Sequence, residues 1–158
     1  MQENRIFFDD EKVFESFFNK LKKRLDDFSL DQGIDDIFLL SPDDVDFFEP
    51  QFPCVSLEVC DPTTMVGASD YEEIEYYTLF AVELNVYTVN ANKYKLGLAI
   101  SNEIVRFFQE KMVVGGYYSR GLLLNTKTRT MSPNEELCRF VIRLSGKADN
   151  RNKLILPQ

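Results

Sequence analysis

The stretch YEEIEYYTLFAVELNVYT, residues 71–88, alternates almost without a break. Ile74, Tyr76, Thr78, Phe80, Val82, Leu84 and Val86 fall on one parity, and Glu73, Glu75, Tyr77, Leu79, Ala81, Glu83, Asn85 and Tyr87 on the other. A period of two is the mark of extended chain. Eighteen residues at about 3.3 Å each would run roughly 60 Å, several times the usual strand of about 5 to 6 residues. Either such a strand bends sharply, or its Tyr71 end leaves the domain as an arm that pairs with another molecule. We expect the half nearer Tyr71 to project and the half nearer Tyr87 to sit in the sheet.

The neighbours of this stretch follow from the same patterns. Pro53 to Cys60 alternates Val55, Leu57 and Val59 against Ser56 and Glu58, which predicts a strand that Pro53 can open. The connection Asp61 to Asp70 holds Pro62 and Gly67 and reads as a hairpin loop, making the two strands antiparallel neighbours. Beyond Thr88, Asn90 and Asn92 can cap a helix from about Lys93 to Lys111, with Leu96, Ala99, Ile100, Ile104, Phe107 and Phe108 as its apolar stripe. An earlier helix starts at Asp9 or Asp10 and repeats Val13, Phe14, Phe17, Phe18, Leu21, Leu25 and Phe28 at three- and four-residue steps. Between them, Gly33, the Ser41-Pro42-Asp43-Asp44 turn signal and Pro50 break the chain, and Ile37 to Leu40 fits a short strand or one helical turn. Asp43, Asp44, Asp46 and Glu49 lack the spacing of a calcium loop. Phe47, Phe48 and Phe52 need cover from the domain or from a neighbour.

The chain closes with two predicted strands, about Leu122 to Met131 and Glu136 to Lys147, joined by a turn at Ser132-Pro133-Asn134. Lys127 and Arg129 are expected on the same outer face as Arg139 and Arg143, and four cations on one face call for a negative cover. That cover is either nucleic acid or acids such as Glu72, Glu73 and Glu75. The fold class expected is α+β: an antiparallel β-sheet with a long extended hairpin and two helices packed on one face. Residues 1–148 make the single domain and 149–158 a C-terminal tail, in which Leu154 and Ile155 can anchor on a partner.

Composition limits function. Residues 1–90 hold 21 Asp and Glu against 6 Lys and Arg, and residues 91–158 hold 5 against 12. An acidic surface repels phosphate, which disfavours general nucleic-acid binding. The two halves either neutralise each other within one fold or meet between copies, acidic half to basic half, in a repeating heterologous contact. The chain has no His, so the commonest general base and metal ligand is missing, and the three Cys read as reduced structural thiols. No cofactor, no metal and no enzymatic activity are expected. No apolar run spans a bilayer and the first residues lack the order of a secretion signal, so neither membrane insertion nor export is expected and folding is placed in a cytoplasm.

The strand Pro53 to Leu57, the long strand closing on Val86 and Tyr87, the helix with Ala99, Ile100 and Phe107, and the closing hairpin with Arg139 and Gly146 together resemble the tail terminator family of tailed bacteriophages, which includes tail-completion and head-to-tail joining proteins. The resemblance covers about residues 9–148 and is one of element order and apolar pattern. It implies a structural virion protein that forms a ring, usually a hexamer, at the head-proximal end of the tail. Such a ring terminates the tail tube and joins it to the head or neck. The implied partners are other copies of the chain, the tail tube protein and a head-completion or neck protein, with DNA passing through the lumen without specific binding. The implied location is the virion, after assembly in the host cytoplasm. Glu72, Glu73, Glu75, Lys127, Arg129, Arg139 and Arg143 are the expected subunit-interface residues. A neck or connector ring protein, or a small non-enzymatic adaptor, fits the same pattern.

Overall fold

The computed structural model describes residues 8–45, 51–69, 74–89, 93–131, 137–149 and 153–155. The expected caps Asn90 and Asn92, the Ser132-Pro133-Asn134 turn, and Phe47 and Phe48 lie outside them. Helix α1 spans Asp10–Gln32. The Asp9 carboxylate caps it by accepting the Lys12 backbone N–H, and Gly33 ends it in the left-handed region (φ 64°). Val13, Phe17, Leu21 and Leu25 are its buried stripe. Strand β1 (Phe38–Leu40) and the single turn α2 (Pro42–Val45) follow, then the two long strands β2 (Cys54–Ser69) and β3 (Ile74–Val89). Helix α3 (Lys93–Gln109) leads into β4 (Met112–Val114), β5 (Tyr117–Ser119), β6 (Leu123–Met131), β7 (Leu137–Asp149) and β8 (Lys153–Ile155).

The antiparallel sheet with two helices on one face is not the architecture that forms. Among the described residues the chain is mostly β, with eight strands in one mixed sheet curled like half a barrel, and three helices. The order is β1-β2-β3-β7-β8-β5-β4, with β6 pairing β7 off that path. Two pairs are parallel, β1 with β2 and β5 with β8. The sequence pattern failed where strands are short: β1, β4, β5 and β8 have three residues each, too few to display a period of two. The parallel pairings are long-range, so no local turn signal announces them.

The long hairpin also behaves differently from the expectation. Tyr77 to Tyr87 of β3 are flanked by β2 on one side and β7 on the other, and among the described residues Ile74 to Tyr76 run past the end of β7, while residues 71–73 lie outside the described residues. From Tyr77 onward the expected arm is therefore held in the sheet of its own chain. Bulges in β2 between Cys60 and Thr63 and between Val66 and Ser69 bend the hairpin. The C-terminal residues differ too. Leu154 is fully buried in this chain's own core, β8 pairs with both β7 and β5, and the Asp149 carboxylate accepts the Lys153 N–H.

One contiguous core fills the space between the sheet and the helices. Phe80, Val82, Leu84 and Val86 of β3 and Phe140, Ile142 and Leu144 of β7 meet Phe17, Leu21 and Leu25 of α1 and Ile100, Ile104, Phe107 and Phe108 of α3. The helices also touch each other: the Phe17 and Phe108 rings meet edge-on at 4.9 Å, and Arg24 Nε lies 2.6 Å from Glu103 Oε1. Helix α3 sits so close to β7 that a Cβ on Gly97 would fall 2.6 Å from the Phe140 ring. Among the described residues, no helix is long and apolar enough to cross a membrane.

Candidate functional site

Strands β1, β2, β3, β7 and β6 lie side by side in that order, so this run has one margin at β1 and another at β6. The two margins differ in charge. From Leu25 to Asn92 the sequence contains no Lys or Arg, and this span supplies β1, α2, β2 and β3. Asp35 and Asp36 precede β1 and Asp43 and Asp44 follow it, all four exposed. Beside them Asp10, Glu11, Asp43 and Glu58 line a cleft of about 360 Å³, whose floor includes Phe14, Pro42 and Val59. Asp10 and Glu11 are in the first turn of α1, where the helix dipole favours negative charge and offsets their mutual repulsion.

The opposite margin, β6, contains Lys127 and Arg129 and no acid. Its geometry turns on one residue. Leu124 pairs with Leu144, but Thr126 pairs with Arg143, so Asn125 is an extra residue in β6. With uniform register, Lys127 and Arg129 would have shared a face with Arg139 and Arg143. The bulge shifts the pairing by one, places Lys127 opposite Ile142 and Arg129 opposite Phe140, and moves both cations to the core side of the sheet. There Lys127 Nζ donates to Asn102 Oδ1 on α3, and burial lowers its pKa. The Arg129 guanidinium lies 4.8 Å from the centre of the Tyr94 ring. Thr126, Thr128 and Thr130 take the other face and are exposed.

The expected four-cation face is thus divided, two cations on each side. Arg139 and Arg143 remain on the face away from the core, and both are engaged within the chain. Arg139 Nε donates to Asn85 Oδ1 at 2.8 Å, and its guanidinium is 5.9 Å from the Tyr87 ring centre. Arg143 lies opposite Glu83 across the β3–β7 pair, forms an ion pair with Asp61 at 2.5 Å, and reaches Cys60 Sγ at 3.7 Å. Its hydrogen bond with Asp61 holds the guanidinium pKa above the ordinary value. These arginines compensate the acidic row of their own sheet and are not a bare docking surface. Of the predicted acidic partners, Glu75 falls on β3, while Glu72 and Glu73 lie outside the described residues.

The acidic margin was not predicted. Its members were visible singly, with Glu58 on an outer strand face and Asp43 and Asp44 in a turn, but only the parallel pairing of β1 on β2 sets them beside the start of α1. Two of the thiols are held protonated: burial pushes Cys54 up to about 11 and also raises Cys60. Among the described residues, no group of three or more Cys, Asp or Glu is placed to hold a metal ion. A scan of the chain against protein-family models matches none, and a search of curated proteins finds no match.

Proposed function

We propose that this chain is a structural ring protein of a bacteriophage virion, one that closes the head-proximal end of the tail tube and joins it to the head or neck. The observation that supports this reading is the opposite charge of the two margins of one strand run, acidic at β1 and basic at β6. A surface with unlike margins associates head to tail, and head-to-tail contacts close into rings when the rotation per subunit allows. The partners of such a ring are further copies of the chain, the tail tube protein on one side and a head-completion or neck protein on the other. DNA passes through the lumen, where a largely acidic chain would not hold phosphate. The mechanism is assembly: the closed ring presents one annular face that stops tube growth and another that accepts the neck.

The test is size-exclusion chromatography with light scattering, followed by electron microscopy of the purified protein alone and mixed with tail tubes. A ring of defined subunit number that caps tube ends is expected. A monomer at high concentration that also leaves tubes uncapped would remove the proposal.

A further inference from the structure

The β6 edge differs from the long edge of β2. β2 is guarded by Pro62, by two bulges and by Asp61 at φ 56°, all devices that discourage strand addition. Past the bulge at Asn125, β6 keeps an uninterrupted register from Thr126 to Met131, with no Pro, and among the described residues it pairs with β7 alone. Its two cations are drawn inward to Asn102 and Tyr94, so they flank the backbone edge without blocking it. Thr126, Thr128 and Thr130 are exposed and are good strand formers. An edge of about six residues offers a row of N–H and C=O groups roughly 20 Å long.

Resting on the ring reading above, we infer that the β6 edge of one copy receives the β1 edge strand of the next, so that the sheet continues from subunit to subunit. The occupant follows from charge. β1 is the outermost strand at the other end of the run, and it is bracketed by exposed Asp35 and Asp36 before it and by Asp43 and Asp44 after it. Lys127 and Arg129 lie along the receiving edge. Pairing β6 with a second β6 would instead set Lys127 and Arg129 against the same cations. Because β1 and β6 are different surfaces, and among the described residues each pairs with one neighbour, a head-to-tail contact leaves one edge of each kind at the ends of an open chain until the ring closes.

The experiment uses full-length chain with Cys60→Ser, in two single-site variants, Asp36→Cys and Thr128→Cys, joined by a short bis-maleimide. Both positions are exposed. Cross-linked dimer is expected only when the two variants are mixed. Dimer from Thr128→Cys alone would mean β6 pairs with β6 and overturns the inference. No cross-link in a sample that light scattering shows to be a ring overturns this contact and leaves the ring reading standing. A monomer by light scattering removes both. In parallel, Arg129→Glu should weaken self-association about tenfold, and adding Asp36→Arg should recover most of it. Failure of the second change to rescue, with both variants folded by circular dichroism, also counts against the contact.

Discussion

At the residue scale, the contact that fixes α1 on α3 is ionic as well as apolar. Arg24 meets Glu103 at 2.6 Å and Glu110 at 2.9 Å, and Arg106 adds a second contact to Glu103 at 3.1 Å. Burial pushes the Glu103 carboxyl upward, but the hydrogen bonds and charges of Arg24 and Arg106 outweigh it and hold the pKa below the ordinary value. A depressed carboxylate pKa contributes stability that is present above the unfolded value and lost as pH falls through the folded one. Glu103→Gln should therefore lower stability by about 1 kcal/mol at pH 7. The difference from the parent should shrink as pH drops below about 4.3. Urea unfolding at pH 7 and at successively lower pH measures both numbers, and a gap independent of pH would contradict the assignment.

Two elements decide how the surface is laid out. Strand β8 is a working part of the core: Leu154 has no exposed surface, and its carbonyl accepts the Arg120 N–H at 2.8 Å. Leu154→Ala should cost about 2 to 4 kcal/mol in denaturant unfolding, whereas a loose tail would show no change. The register of β6 past its bulge sets which side of the sheet carries Lys127 and Arg129. Deleting Asn125 would remove the bulge and let Leu124 and Thr126 follow each other opposite Leu144 and Arg143, so that Lys127 and Arg129 keep their places on the core side. We expect the Lys127–Asn102 contact to survive the deletion, read as an unchanged chemical shift at the Asn102 side-chain amide, whereas replacing the bulge by a register slip would shift it.

At the scale of the whole molecule, the separation of charge becomes a property of the sheet's margins. Association between an acidic and a basic margin is screened by salt, with a Debye length of about 10 Å at 0.1 M and about 3 Å at 1 M. Self-association measured by light scattering should therefore weaken as sodium chloride rises from 0.05 to 0.5 M, on the order of tenfold. An oligomer whose stability rises with salt would instead be held by apolar contact.

The sequence by itself determined the long elements and their inner faces. The stripe of Val13, Phe17, Leu21 and Leu25 and the alternation of Phe80, Val82, Leu84 and Val86 are local periodicities, and local periodicity is what fixes which side of a helix or strand meets the core. It also held the charge imbalance between the two halves. Only the tertiary structure decided the mixed, curled sheet, because the parallel pairing of β1 with β2 and the three-residue strands carry no local signal. It alone decided the candidate interface, since the register past the extra residue Asn125 puts two cations on the face opposite to the expected one. The stretch from Tyr71 to Thr88 shows the same division. Its alternation fixed the strand and its inner row, but its length, which suggested a projecting arm, is absorbed by pairing with β7 from Tyr77 onward. Pairing between distant strands is set by the total area buried in one core, and no window of neighbouring residues contains that sum.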